Sequence, residues 1–454
     1  MKVIKFGGSS LADANQIKKV CDIVLADPAR RLVVVSAPGK RHSEDTKVTD
    51  LLIKLAETSL ADNTCTNELN AVIDRYASIA EDLNLTSDII EEITADLTKR
   101  VNSSKKNPGK YMDLLKAAGE DNSAKLVAAY LKSIGKNAEY IDPAVAGMIL
   151  SDEFGNAQVL PKSYNKLARL AKRDSIMIFP GFFGYSETGE VVTFSRGGSD
   201  VTGGILAAAV NAELYENFTD VDSVYAANPN IVDNPTPIPM FSYEEMRELS
   251  YAGFSVLHEE ALAPVFQKGI TVNIKNTNNP TAPGTLIVPS YALNEEHKKF
   301  PVVGIAADKG FMTLHVSKYM MNREIGFGRK LLQILEDSGI SYEHTPSGID
   351  SISVIIRDKY YDEAVFDKMI KQMYAELEVD KVSLEFDHAI VMIVGNGMTH
   401  SIGTAARAAF ALSNANINLN MINQGSSEVS IMFGVDAKDA KASVQALYNE
   451  FFNK

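Results

Sequence analysis

Twice in this chain an apolar strand runs into a Gly-Gly-Ser turn and leaves it as a helix, an arrangement open to few folds. The first copy is the opening, Lys5-Phe-Gly-Gly-Ser-Ser10, entered through Val3 and Ile4. The second is Arg196-Gly-Gly-Ser-Asp200, ahead of an alanine-rich helix predicted over 202–210. Val3, Ile4 and Phe6 suit a buried strand, and the paired glycines end it. Without a Cβ, two adjacent glycines let the main chain come close to a bulky anion. Ser9, Ser10 and the amides after them can cradle phosphate oxygens at a helix N-terminus. Lys5 sits at the strand's carboxyl end, where open α/β sheets bind ligands. Each stretch alone also reads as a plain turn, the second with a surface ion pair. Two in one α/β domain favour an anion site.

The order of elements extends this picture. A helix is predicted over 13–25, a second buried strand over 31–36, a basic polar loop over 40–47, and a helix from Thr49 or Asp50. Strand, helix, strand, glycine turn and helix open a parallel α/β sheet. Residues 60–135 read as mostly helical, with a break at Asn107-Pro108-Gly109, and Ala118-Gly119-Glu120 lies just before a helix over 123–131. Further strands are predicted at 138–141, 174–179, 191–194 and 270–275, and helices at 243–251 and 258–268. The four prolines between 228 and 239 predict an exposed loop.

The last third contains a repeat. At an offset of 77 residues Gly326 falls on Gly403, Ile340 on Ile417, Gly348 on Gly425 and Ser353 on Ser430. Helix and strand patterns coincide as well, without a gap. Each copy is a βαββ-type unit too small to stand comfortably alone, so the two are expected to pair. The predicted organisation is a catalytic domain over 1–290, a linker over 291–299 and a regulatory region over 300–454. Its first unit covers about 309–385, and its second covers 386–454 with a strand from 300–308.

Bulk properties restrict the chemistry. The 454 residues are 45% hydrophobic and 23% charged, an ordinary globular balance with material for more than one core. A net charge of −13 argues against general nucleic-acid binding and against an anionic membrane surface. Any phosphate must then be held by local cations. The two cysteines, Cys21 and Cys65, share no metal-ligand spacing and suit a reducing cytoplasm. The start reads as a strand and not as a signal peptide, and no apolar run approaches a membrane span. None of the seven histidines forms a metal pair or a nucleophile motif. His258, closing Gly253-Phe-Ser-Val-Leu-His258, reads as structural.

What remains is a kit for phosphoryl transfer: one lysine, one arginine, glycine turns and a few carboxylates. Arg196 offers a bidentate fork for a carboxylate. Asp200 is a candidate for holding a divalent metal through one carboxylate. A carboxylate acceptor needs no general base, because it is already ionised at neutral pH. It needs cancellation of the repulsion between two anions. The absence of a catalytic histidine fits a kinase that forms an acyl phosphate and counts against a hydrolase.

With these residues assembled, the sequence resembles the aspartokinases of the amino-acid kinase family over nearly its whole length. The resemblance rests on Lys5-Phe-Gly-Gly-Ser-Ser10, Phe194-Ser-Arg-Gly-Gly-Ser-Asp200, Thr219-Asp-Val-Asp222 with Tyr225, and Gly425-Ser-Ser-Glu428 after Met421-Ile422. It implies a three-layer αβα kinase domain with a mostly parallel sheet, followed by two ferredoxin-like α+β ACT domains, the first inserted in the second. It implies ATP-dependent phosphorylation of the β-carboxylate of L-aspartate, with Mg²⁺ accompanying ATP. Lys5 would neutralise the transferring phosphoryl group, and Gly7, Gly8 and Ser9 would bind phosphate. Ser36 and Thr49 would contact aspartate, Glu120 would pair with its amino group, Phe182 would wall the pocket, and Arg196 would clamp its α-carboxylate. Asp200 would orient Lys5 or serve the metal. Thr219, Asp220 and Tyr225 would hold the adenosine side.

Two positions depart from the family pattern near the nucleotide: Ser255 stands where a lysine is common, and Asn228-Pro229-Asn230 replaces Asp-Pro-Arg. The ACT pair implies control by lysine or threonine and a homodimer or a dimer of dimers. The expected effector walls include Met321, Gly326, Phe327, Gly328, Glu343, Ser347 and Asp350, with Glu343 either meeting a lysine ammonium or standing as a solvated charge. Two alternatives are a kinase for glutamate or a nucleotide, and a non-catalytic amino-acid sensor. Arg196 with Glu120, able to read a zwitterion, argues against a nucleotide acceptor. Intact Lys5, Arg196 and Asp200 argue against a decayed site.

Overall fold

The computed structural model describes residues 1–61, 64–195, 197–254, 259–293 and 297–453. It divides into two compact units. The first contains Met1–Val224, Pro237–Met246 and Ser255–Leu293, and the second contains Tyr225–Thr236, Arg247–Phe254 and Asn294–Lys454.

The first unit is built on an eight-stranded sheet. Its order is Met240–Ser242, Thr285–Val288, Val272–Asn276, Leu214–Thr219, Lys2–Phe6, Arg30–Val35, Ile176–Pro180 and Ala138–Tyr140. Neighbours run parallel except for the pair Val272–Asn276 and Thr285–Val288. A parallel sheet covered on both faces needs strands that are apolar throughout. Val3, Ile4 and Phe6, with Leu32 through Val35, meet that need and are fully buried. The opening strand lies in the interior of this sheet, so its carboxyl end is flanked by two other strand ends.

The helices follow from local signals. Helix Ala14–Leu25 starts at Asp13, whose carboxylate accepts the N–H of Gln16, and buries Ile17, Val20, Ile23 and Val24. The predicted break at 107–109 is a helix start: Asn107 caps Lys110 and Pro108 takes the first position of Pro108–Ser133. That helix runs unbroken through 118–120, which the sequence pattern left outside it. Gly119 is mid-helix because of its packing. A Cβ there would lie 2.8 Å from the Ala37 Cβ, so the glycine lets the helix press against the turn after the second strand. The alanine-rich helix also begins earlier than predicted, as Gly198–Ala209. Ser199 and Asp200 therefore occupy its first turn.

The second unit contains a five-stranded antiparallel sheet, ordered Ser351–Arg357, Gly304–Ser317, Lys381–Val394, Ser430–Asp436 and Met421–Asn423. The 77-residue repeat is visible in it: helix Phe327–Asp337 corresponds to Thr404–Asn414, and helix Glu363–Leu377 starts at the counterpart of the start of Ala440–Phe452. Gly326 and Gly403 precede the first helix of each copy with matching left-handed φ of 84° and 91°. The two long strands serve both copies. Residues 304–309 pair with 389–394, the register shifts between Lys309 and Thr313, and the rest pairs down to Ser317 against Lys381. The strand expected over 300–308 thus begins at Gly304.

Candidate active site

The carboxyl ends of the central strands surround a cavity of about 730 Å³ in the first unit. Lys5 reaches it from the opening strand, and its ammonium lies 2.5 Å from Asp200 Oδ1. Asp200 is placed by the first turn of helix Gly198–Ala209. Asn217, opposite Lys5 in the register of the neighbouring strand, completes the group. Its Nδ2 donates to Asp200 Oδ1 at 2.9 Å, and its Oδ1 accepts from Lys5 Nζ at 3.5 Å. The lysine is thereby held at the pocket wall by one carboxylate and one amide. A phosphoryl group arriving there meets a cation whose position is already set.

Gly7, Gly8 and Ser9 line the same cavity, as do Ser36 and Thr49. The first glycine turn and the turn after the second strand touch directly. The Gly39 N–H donates to the Gly8 carbonyl at 2.8 Å, and a Cβ on Gly39 would sit 2.6 Å from the Gly8 carbonyl carbon. Only glycine permits this approach. Main-chain donors of both turns are thus brought to one rim.

Glu120, from the long helix, lies across the cavity and is 5% exposed. Its Oε2 is buried and has no hydrogen-bond partner among the described residues. Burial pushes its carboxyl up to about 8, against the smaller opposing effect of backbone hydrogen bonding at Ala37. A buried carboxyl with one free oxygen suits a cationic group on a ligand. Phe182 forms another wall. It holds a left-handed φ of 73° because its N–H donates to Thr202 Oγ1 at 3.0 Å, and that hydroxyl donates to the Gly198 carbonyl at 2.8 Å. Such strain persists where surrounding bonds impose it.

Asp220 lines the cavity and accepts a hydrogen bond from the Thr219 hydroxyl at 3.1 Å. Tyr225 belongs to the second unit. Arg196, Ser255 and His258 lie outside the described residues. Sequence reasoning missed Asn217, although a signal was there: an amide beside Glu216 within the largely buried strand Leu214–Thr219. It also left the loop 40–47 without a role.

The predicted effector residues all belong to the second unit. Gly326 and Gly328 flank the start of a helix. Met321 and Phe327 are buried in the core with Leu331 and Phe366, so only their main chain is offered to a ligand. Asp350 Oδ1 accepts the Met320 N–H at 2.9 Å, and Ser347 bridges to Ile352. Glu343 is not a free solvated charge: it accepts from the Tyr251 hydroxyl and from Arg357 Nε at 3.4 Å.

Comparison with known proteins identifies the family and the fold. Residues 1–276 match the family model for the amino acid kinase family, and residues 391–451 match an ACT domain. The chain is 56% identical over 452 residues to aspartokinase 3 of Bacillus subtilis, covering 100% of this chain and 99% of that one. Among solved structures, the aspartate kinase of Clostridium acetobutylicum superposes with a TM-score of 0.84 at 40% identity, covering 99% of this chain and 100% of the other. E. coli aspartokinase III, at 26% identity and full coverage of both chains, gives 0.79 for its complex with aspartate and ADP (R-state). It gives 0.73 for its complex with lysine and aspartate (T-state).

Proposed function

This chain belongs to the amino acid kinase family and is an aspartate kinase with an ACT regulatory region, and on that premise we propose that it transfers the γ-phosphoryl group of ATP to the β-carboxylate of L-aspartate. The product is 4-phospho-L-aspartate, the entry to lysine, threonine and methionine synthesis. The observation that carries this reading is the pairing, in one cavity, of a positioned cation with a buried carboxyl lacking a partner. Lys5, held by Asp200 and Asn217, stands between the γ-phosphate and the attacking carboxylate and offsets their repulsion. The main-chain donors of Gly7, Gly8 and Ser9 take phosphate oxygens. Glu120 takes the α-ammonium of aspartate, Ser36 and Thr49 contact the substrate, Phe182 excludes water, and Arg196 reads the α-carboxylate. Thr219, Asp220 and Tyr225 are assigned to the nucleotide.

Among the described residues no three His, Cys, Asp or Glu side chains gather as a metal cage. Asp200 Oδ1 is already engaged by Lys5 and Asn217. These residues fit a Mg²⁺ held mostly by the phosphates and water, with Asp200 or Asp220 as the protein's contribution. The ion supplies charge neutralisation to the phosphates.

The second unit is assigned to feedback by an end-product amino acid, with lysine the first to test, since the E. coli relative was crystallised with it. The 77-residue repeat supports two ACT units, and a homodimer through them is proposed. Among the described residues no helix is long and apolar enough to cross a membrane, and cytoplasmic placement is proposed. The test is incubation with ATP, Mg²⁺ and L-aspartate, followed by trapping of acyl phosphate with hydroxylamine. Aspartyl hydroxamate is expected, and Lys5→Ala should abolish most of it, costing several kcal/mol of transition-state stabilisation. Hydroxamate from glutamate alone would overturn the substrate assignment.

A further inference from the structure

The loop 40–47 is a basic stretch that the reading above leaves unused, although Lys40, His42, Ser43 and Lys47 all line the active cavity. Its construction is that of a fixed loop. The ends are pinned together: Gly39 N–H donates to Gly8, and Val48 N–H, opening the next helix, donates to the Pro38 carbonyl at 3.0 Å. Such a closed excursion is a compact surface loop whose ends are close. Inside it, Asp45 receives the Arg41 main-chain N–H and side chain, at 2.9 Å each. The guanidiniums of Arg41 and Arg75 hold the Asp45 carboxyl well below the usual carboxylate range.

Arg75 comes from a different element, helix Thr66–Asp82, and is 5% exposed. One nitrogen donates to Asp45 at 2.6 Å. The other donates to the carbonyls of Gly39, at 2.6 Å, and Ala12, at 3.1 Å. A single guanidinium thus joins three segments: the end of the first glycine turn, the turn after the second strand, and the loop. Asp45 is paired with these arginines and Glu44 does not line the cavity, so the charge that the loop presents there is positive, from Lys40 and Lys47. In a chain with net charge −13, that local excess matters to a polyanionic substrate.

We propose that the loop 40–47 is a second cationic wall of the active site, with Lys40 and Lys47 acting on the phosphates of the nucleotide. In this scheme the Arg75–Asp45 pair is the positioning device that holds those lysines over the cavity. The proposal rests on the aspartate kinase reading, and it adds residues beyond the two Gly-Gly-Ser turns. The position of the loop supports the nucleotide as the ligand: it springs from Gly39, which is bonded to Gly8 of the phosphate turn.

The experiment compares Lys40→Ala/Lys47→Ala and Asp45→Asn with the unaltered protein. Both lysines are exposed, so the double variant tests the charge without disturbing the core. Hydroxamate formation by the unaltered protein is measured first, so failure of the reaction assignment is seen separately. For the lysine double variant, kcat/KM for ATP should fall about tenfold or more at low salt, and the difference should shrink as salt is added. Asp45→Asn should show a similar loss, and adding it to the lysine double variant should cost little more. An unchanged kcat/KM for ATP in the lysine variant overturns the proposal. A full additional loss from Asp45→Asn in the lysine-free background would overturn the positioning role, because Asp45 would then act by some route other than the lysines.

Discussion

Glu120, proposed above to meet the substrate ammonium, is a buried side chain whose ionisation also bears on stability. Its ordinary value is 4.5, and burial raises it to about 8. Below pH 4.5 the folded and unfolded chains both keep the proton. Between 4.5 and 8 the unfolded chain releases it while the folded chain retains it, so stability falls as pH rises through this window. An aspartate ammonium reverses the local preference by pairing with the ionised form. Glu120→Gln should therefore melt close to the unaltered protein near pH 5 and clearly above it near pH 8, while losing aspartate use. Equal melting temperatures at both values would remove the burial argument. Lys5 behaves differently: it has a built counter-charge in Asp200 and needs no ligand to justify its burial.

Among the elements, the decisive contact is between the long helix Pro108–Ser133 and the turn that follows the second strand. Gly119 brings Glu120 to the cavity by letting the helix approach Ala37. Its main-chain carbonyl also accepts the Tyr76 hydroxyl at 2.6 Å. By helix propensity alone, Gly119→Ala should stabilise by about 1 kcal/mol. Here the new methyl would meet the Ala37 Cβ at 2.8 Å and the Leu52 Cδ1 at 3.2 Å. The methyl of Ala37 has no rotamer by which to move aside, so overpacking should win. We expect a net loss of about 1–3 kcal/mol in urea unfolding and a raised KM for aspartate. A stabilised variant with normal kinetics would show that the turn can yield.

At the scale of the whole molecule, each unit carries its own polar network. In the second unit, Arg357 links Asp308 at 2.5 Å with Glu343, and Glu343 also holds the Tyr251 hydroxyl, so three chain segments meet at one carboxylate. Tyr251 packs edge-on against His344, and burial lowers the His344 pKa. A lysine effector would have to share Glu343 with Arg357. Effector recognition is better supplied by the main chain around Gly326 and Gly328 and by Asp350. Lysine should inhibit hydroxamate formation, and Asp350→Ala should raise the lysine concentration for half-inhibition about tenfold. Unchanged inhibition would place the effector elsewhere.

The sequence by itself determined the parts whose signals are local. Apolar runs of strand length specified the parallel sheet, because both its faces are covered. Asp13 stood at a legible helix start, whereas Asn107, which the sequence pattern places in a break, proved to cap one. The 77-residue periodicity exposed the paired α+β units; Lys5, Gly7, Gly8 and Asp200 were legible in the two glycine turns, Ser36, Thr49, Glu120 and Phe182 only through the family resemblance, and all eight line one cavity. The tertiary structure decided what depends on residues distant in the chain. Asn217 became a site residue only through its register against Lys5. Glu343 changed from a surface charge to a shared one through Arg357 and Tyr251. Gly119 stayed in a helix because of a neighbour 82 positions earlier, Ala37. Lys5-Phe-Gly-Gly-Ser-Ser10 marked the first glycine turn, but its partner at Gly39, and the arginine that stitches the two, come from packing between segments that no local pattern encodes.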